Sequence, residues 1–202
     1  MLQVRIWKRP LDLLASSFGL LLLSPLFAAI ALVIKLDSTG PVFFRQERMG
    51  RGLQKFFIYK FRTMVEDAPF KGGLLTVNED LRITRIGRVL RQTKLDELPQ
   101  LINVFLGQMS LVGPRPEVAR YVELFRSDYE EILRVQPGIT DLASLKYRDE
   151  SALFRLAADP EREYVTRILP DKIALAKEYL QRSSFCFDLS LILKTLLKVF
   201  IR

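Results

Sequence analysis

Residues 13–34 read LLASSFGLLLLSPLFAAIALVI, 22 residues without a charge. At about 1.5 Å per helical residue, such a run just crosses the ~30 Å core of a bilayer. Three readings compete. A secretory leader has the basic start that Arg5, Lys8 and Arg9 supply, but its apolar stretch is shorter and a small-residue cleavage site follows. Here Lys35-Leu36-Asp37 follows. A full span is the ordinary reading. Basic residues crowd both flanks, however: Arg5, Lys8 and Arg9 before, then Lys35, Arg45, Arg48, Arg51 and Lys55 after. The positive-inside tendency draws both ends to one side. Pro25 removes a backbone donor and disfavours helix at Ser24, near the middle of the run. The Ser24 hydroxyl is of the right kind to take up a freed carbonyl in lipid. A hairpin that enters, breaks at Ser24-Pro25 and leaves by the same face fits these residues, and so does a proline-bearing span. Asp12 reads either as a partner of Lys8 or Arg9 or as an ordinary helix-start acid.

The chain has 202 residues, enough for one domain with a proper core. Its net charge of +8 implies an anionic partner: nucleic acid, acidic lipid or a phosphorylated substrate. Apolar residues (49%) and charged residues (27%) are segregated along the chain, as at a membrane surface. One cysteine, Cys186, excludes an internal disulfide framework. The absence of histidine excludes a Ser-His-Asp triad, a Cys-His pair and a histidine-ligated metal. Proton transfer would fall to Asp, Glu, Lys, Tyr or the substrate, and a metal site would be of the oxygen-ligand kind that suits Mg²⁺.

Beyond the apolar run, Gly40-Pro41 leads into Val42-Phe43-Phe44, a basic turn around Met49-Gly50-Arg51-Gly52, and Phe56-Phe57-Ile58-Tyr59. Two aromatic and β-branched runs around glycines predict a hairpin, with Lys60 to Met64 continuing its second strand. Pro69 to Asp80, with Gly72-Gly73 and Asn78, reads as a loop. Arg82 to Leu90 is a basic amphipathic helix candidate through Ile83, Ile86 and Leu90, suited to an anionic membrane surface or to an ordinary core. Leu98, Leu101, Ile102 and Phe105 predict one face of a short helix ended by Gly107. Helices are also expected over 116–134, stopped by Pro137-Gly138, from Asp159-Pro160, over 170–181 and in the apolar tail 185–201. The fold class expected is α+β, mostly helical, with a small sheet.

Leu95-Asp96-Glu97-Leu98-Pro99-Gln100 sets two carboxylates side by side, with Gly113-Pro114-Arg115-Pro116 close behind. Taken alone, Asp96 reads as a helix cap, Glu97 as complementing a helix dipole, and Thr93 with Asp96 as a weak capping box. The Gly-Pro-Arg-Pro stretch alone is a stiff connector. Together they admit a second reading. A carboxylate, already ionised at neutral pH, can attack phosphorus and form an acyl phosphate without histidine. It needs cations around the transferring group, and Lys60, Arg62, Arg82, Arg85, Arg88, Arg91 and Arg115 are in surplus. Mg²⁺ between a carboxylate and a diphosphate would complete such a site.

The sequence resembles the small monotopic phosphoglycosyl transferases, the bacterial sugar transferases of the polyprenyl-phosphate hexose-1-phosphate transferase family. The resemblance rests on Lys8-Arg9 with Asp12, Ser24-Pro25, Gly40 to Gln46, Tyr59 to Met64 and Arg82-Ile83-Thr84. It continues through Gly87, Leu90-Arg91, Leu95 to Gln100, Asn103-Val104, Met109 to Pro116 and Pro137 to Thr140. It implies transfer of a sugar 1-phosphate from a UDP-sugar to undecaprenyl phosphate with release of UMP, the first membrane step of glycan assembly. It implies Asp96 as nucleophile, carrying a covalent phosphosugar and holding Mg²⁺, with Glu97 assisting. Lys60, Arg91, Arg115 and Asp188 match positions near substrate, and Arg62 is counted with them as a phosphate cation. The family's membrane helix is re-entrant at the Ser-Pro, which implies a helix-break-helix over 1–36 and a cytoplasmic catalytic domain with interfacial helices over 37–202. It also implies a place on the cytoplasmic face of the bacterial inner membrane, contact with membrane lipid, and a homo-oligomer as an open possibility. Larger relatives carry extra N-terminal helices, so a bare catalytic unit is expected. Asp141 stands where the family often has Gly after Pro-Gly-Ile-Thr.

The rival is a non-enzymatic basic protein that binds anionic lipid at the membrane periphery. Its charge would form a continuous polybasic arm, whereas here the basic residues are interleaved with apolar ones. No nucleic-acid motif is present, so no nucleic-acid partner is expected. A two-metal phosphatase or nuclease would gather more carboxylates than the one tight pair seen.

Overall fold

The computed structural model describes residues 7–68, 80–148, 153–154 and 159–200. The apolar run lies within one helix, α1 (Lys8–Asp37), long and apolar enough to cross a membrane. The helix does not end at Ser24-Pro25. Pro25 lacks the N–H that would bond the Leu21 carbonyl one turn back, and the Ser24 hydroxyl donates to that carbonyl instead, at 2.8 Å. Only Asp12, Ser16, Ile30 and Ile34 of α1 are buried. Asp12 is not in the first turn of the helix, which corrects the helix-start reading; the charges of Lys8 and Arg9 act on it, and it is buried with its Oδ1 accepting the Leu111 N–H at 3.0 Å. Arg9 donates to the carbonyls of Val104 and Phe105, at 2.6 and 2.9 Å.

The hairpin forms as read, with β1 (Phe43–Met49) antiparallel to β2 (Lys55–Phe61) in register from Phe43 opposite Phe61 to Met49 opposite Lys55. Its second strand stops at Phe61, and Met64 makes an isolated bridge to Ile83. Of the loop expected over Pro69 to Asp80, residues 69–79 lie outside those described. Helix α2 (Arg85–Thr93) starts three residues later than the periodicity suggested, because the Thr84 hydroxyl caps it by accepting the Gly87 N–H at 2.9 Å. Ile83 is thereby left to the bridge. Gly87 is where α2 crosses β2's continuation, and any Cβ there would overlap the Thr63 carbonyl.

Helix α3 (Gln100–Phe105) buries Gln100, Asn103 and Val104 rather than the apolar face expected. Leu101 approaches Gly19 of α1, and Phe105 is exposed. Gly107 ends the segment with φ 79°, as read. Strand β3 (Ser110–Val112) then pairs in parallel with β4 (Gly138–Thr140), so Pro137-Gly138 opens a strand as well as stopping a helix. The helix expected over 116–134 is two, α4 (Ala119–Leu124) and α5 (Arg126–Ile132), parted at Phe125.

Asp141 caps α6 (Leu142–Lys146) by accepting the Ser144 N–H at 2.7 Å. Asp159 does the same for α7 (Pro160–Glu163), which passes through a wide turn over Tyr164–Ile168 into α8 (Leu169–Arg182). The tail is α9 (Phe185–Phe200). The main core gathers Tyr121, Val122, Tyr129, Ile132, Ile168 and Leu169. A smaller one joins Ile30 and Ile34 of α1 to Phe61 and Leu90. The described residues are mostly helical with two two-stranded sheets, in line with the expected class.

Candidate active site

Helix α2 ends at Lys94, whose backbone is left-handed (φ 59°, ψ 13°) although it is not glycine. Such residues persist only where their surroundings hold them, and they gather at functional sites. The reversal starts a tight 3₁₀ turn, Leu95–Glu97, that presents both carboxylates. The capping reading is corrected here: neither this turn nor α3 receives a side-chain cap. Thr93 bonds back to the carbonyls of Val89 and Leu90 instead of forming a capping box.

Two elements converge on Glu97. From β2, Lys60 donates through Nζ to its Oε1 at 2.8 Å. From the stiff turn after β3, Arg115 forks onto both carboxylate oxygens, Nη1 to Oε2 at 3.2 Å and Nη2 to Oε1. Arg115 Nη1 also lies 3.5 Å from the Ser144 hydroxyl, on the helix that Asp141 caps. The turn can come this close because Gly113 has no side chain: a Cβ there would sit 2.6 Å from the Gln136 carbonyl. Asn103 fixes β2 over α3, accepting the Tyr59 N–H at 3.0 Å and donating to the Phe57 carbonyl at 2.7 Å.

Asp96 differs from its neighbour. It is 7% exposed, and its Oδ1 is buried without a hydrogen-bond partner among the described residues. Burial pushes its carboxyl above the ordinary aspartate range; Lys60, Lys94 and Arg91 pull against this, while the Glu97 charge adds to it. Burial acts on Glu97 in the same direction, but Arg115 and Lys60 overcome it and hold Glu97 well below the ordinary carboxylate range. Burial also lowers Lys60, with Glu97 opposing. One turn therefore carries a carboxylate with one buried oxygen unpartnered among the described residues and, beside it, a carboxylate held by two cations.

The other expected positions are distributed. Arg91 belongs to the site: its Nε donates to the Thr63 hydroxyl at 2.8 Å, and its charge acts on Asp96. Arg62 is buried and donates to the carbonyls of Ser38 (2.8 Å) and Thr39, bracing the turn between α1 and β1. Asp188 accepts from Lys8 at 2.8 Å and from the Tyr179 hydroxyl at 2.9 Å. Arg82 forks onto Asp80, while Arg85 and Arg88 are exposed. The role of Thr63 as a support for Arg91, and the contacts of Ser144 and Tyr179, had no signal beyond an ordinary polar or core residue.

The donor set suits Mg²⁺ more than a transition metal, since it is all oxygen and the partnerless Asp96 Oδ1 is of the right kind. Among the described residues no cluster of three metal-ligating side chains exists. Any Mg²⁺ would therefore share Asp96 with substrate oxygens.

Comparison with known proteins places the whole chain in a family. The family described as "Bacterial sugar transferase" matches residues 3–202. The chain is 39% identical over 194 residues to the UDP-N-acetylgalactosamine-undecaprenyl-phosphate N-acetylgalactosaminephosphotransferase of Aeromonas hydrophila, covering 94% of this chain and 42% of that protein. It is 42% identical over 168 residues to the exopolysaccharide production protein PSS of Rhizobium leguminosarum bv. phaseoli, covering 76% of this chain and 84% of that protein. It is 35% identical over 201 residues to the UDP-glucose:undecaprenyl-phosphate glucose-1-phosphate transferase of Escherichia coli, covering 98% of this chain and 41% of that protein. The chain thus spans about two fifths of the longer relatives and most of the shorter one. With the family match running almost from end to end, the chain belongs to the bacterial sugar transferases.

Proposed function

We propose that this chain transfers a sugar 1-phosphate from a UDP-sugar to undecaprenyl phosphate, releasing UMP, through a covalent intermediate on Asp96. The observation that carries the reading is the contrast within the dyad: a buried Asp96 whose Oδ1 has no hydrogen-bond partner among the described residues, beside Glu97, which gathers Lys60 and Arg115. An Asp96 oxygen attacks the phosphorus that bears the sugar. The bond from that phosphorus to the bridging oxygen breaks, and UMP leaves with the electron pair. A phosphate oxygen of the lipid then attacks the same phosphorus, the acyl phosphate bond breaks, and Asp96 is restored as a carboxylate beside a diphosphate-linked sugar. Neither displacement requires a histidine.

Lys60 and Arg115 supply charge where the phosphoryl group transfers, and arginine's fork suits its equatorial oxygens. Held well below the ordinary range, Glu97 is a weak base, and its role in this reading is to keep those two cations in place before substrate arrives. Mg²⁺, held by Asp96 and substrate oxygens, would neutralise the diphosphate charge. The place of the enzyme would be the cytoplasmic face of the membrane, with α1 re-entrant. Support comes from the fastening of both ends of α1 to one body: Arg9 to the end of α3, and Asp37, which accepts the Ile86 N–H at 3.2 Å. Fastening at both ends supports a helix of about 45 Å that stays with one globular unit rather than one that leaves it to cross the bilayer.

The test is UMP release from a panel of UDP-sugars with undecaprenyl phosphate and Mg²⁺. Release with at least one donor is expected, and Asp96→Asn should abolish it without altering membrane association. Full activity in that variant would refute the nucleophile, and no release from any donor would favour a lipid-binding role without catalysis.

A further inference from the structure

Strand β3 is short, and much of what holds it comes from outside the sheets. On one side it pairs with β4, with Ser110 N–H donating to the Pro137 carbonyl at 2.8 Å and Gly113 N–H to the Thr140 carbonyl at 3.0 Å. Two further polar groups of the strand go to helices distant in the chain. The Leu111 N–H is taken by Asp12 of α1. The Val112 carbonyl lies 3.3 Å from the Tyr179 hydroxyl of α8. That hydroxyl accepts from Lys8 of α1 at 2.7 Å, and its single proton serves either Asp188 Oδ1, at 2.9 Å, or the Val112 carbonyl. Lys8 closes the set by pairing with Asp188 Oδ2 at 2.8 Å. Tyr179 and Asp188 are almost wholly buried, so the network is shielded from water and its geometry is held tightly.

What β3 carries is Arg115. Arg115 lies three positions on from Val112, at most about 10 Å of chain. That stretch has no slack: Pro114 has a fixed φ, its carbonyl accepts the Gly138 N–H at 2.9 Å, and Gly113 is pressed against the backbone of residues 136–138. A displacement of β3 therefore arrives at the guanidinium that forks onto Glu97.

We infer that Tyr179, with Lys8, Asp12 and Asp188, forms a set of positioning residues for Arg115, through which the docking of the first turns of the membrane helix sets the phosphate-binding cation in place. The inference rests on the proposed transfer reaction for its functional consequence and on geometry alone for the linkage.

Two measurements on the full chain in nanodiscs separate these. Hydrogen exchange in wild type and Tyr179→Phe reads the linkage without turnover: protection over residues 110–116 should fall, while α5 and the hairpin keep theirs. Unchanged protection over 110–116 would overturn the inference. Kinetics of UMP release then read the consequence. Tyr179→Phe keeps the ring in the core, and kcat should fall between about tenfold and a hundredfold, as for a catalytic group misplaced by about 1 Å. The donor KM should move far less. In an Arg115→Ala background the same substitution should cost less than about twofold, because the residue through which it acts is gone. A full, additive loss there would show a general structural role and overturn the assignment. Asp188→Asn, which keeps the shape of the network, should repeat the pattern, and additivity in that variant would count equally against it. Should wild type be inert with every donor, the proposed reaction fails, while the exchange comparison still decides the linkage.

Discussion

Asp96 and Glu97 are adjacent in the chain yet titrate in opposite directions, because only one of them meets cations at hydrogen-bond distance. A quieter pair shows the same physics where stability reads it. Asp80 receives three side-chain contacts from Arg82 and its backbone N–H besides, and these hold its carboxyl below the ordinary aspartate range. The pair fastens the segment that leads through the Ile83 bridge to Thr84, the cap of the helix that carries Arg91. A carboxylate depressed in the folded state stabilises fully above its unfolded value, near about 3.9, and that stabilisation is lost as pH falls through the folded value. Asp80→Asn should therefore be less stable than wild type in denaturant titrations at pH 7, with the gap closing as pH falls below that unfolded value and through the folded one. A gap that persists there would assign the loss to something other than the ion pair. At this scale the sequence was partly legible. Adjacent carboxylates and a Gly-Pro-Arg-Pro turn announce themselves, but the sorting of seven cations into site, brace and surface depends on which backbone groups lie near each. Arg62 spends its fork on two carbonyls of the α1–β1 turn, and nothing local in sequence says so.

Elements were legible where one periodicity acted alone, and they slipped where a cap or a polar packing face took precedence. The hairpin register and the Gly107 stop follow from local chemistry. Helix α2 begins at the Thr84 cap rather than at the first apolar residue of its face. Helix α3 turns Asn103 inward because that amide bonds β2 backbone on one side and Gln108 on the other. Long-range strand pairing has no local signature, so the sequence reading contains neither β3 nor β4; their mark is a pair of glycines, Gly113 and Gly138, whose backbones touch where no Cβ fits. That closeness makes Gly138→Ala a test of the element. The clash is with backbone, which cannot swing aside, so the two strands must part. A cost of about 1–3 kcal/mol is expected, in the range of overpacked sites. UMP release should fall along with it, since Pro114 and Arg115 move with the strand. Chemical denaturation checks the first effect and the assay the second; wild-type values for both would mean the strands tolerate separation.

The whole molecule presents apolar side chains that a water-facing protein of this size would cover. On α1, Leu14, Phe18, Leu21, Leu22, Leu32 and Leu36 are exposed, and on α9 Phe185, Leu189, Leu193, Leu196 and Leu197. These surfaces adjoin, since Trp7 at the head of α1 meets Phe185 edge to face at 5.3 Å between ring centres, and Arg9 reaches the end of α3 beside exposed Phe105 and Leu106. Exposed apolar area on this scale marks a membrane or partner surface. The net charge of +8 favours an anionic one. The two contributions separate by salt: charge attraction between exposed groups is screened at about 1 M, where the Debye length is near 3 Å, while apolar burial is not. Trp7 is the only tryptophan in the chain and lies at the junction of α1 and α9, so it reports on that junction without labelling. With vesicles of anionic lipid its emission should shift to the blue and be quenched by bromine placed along the acyl chains, and about 1 M salt should leave both effects in place. Emission insensitive to brominated lipid would remove this junction from the bilayer. Quenching that salt abolishes would make the attachment electrostatic, and the apolar surface of α1 and α9 would then need a protein to cover it.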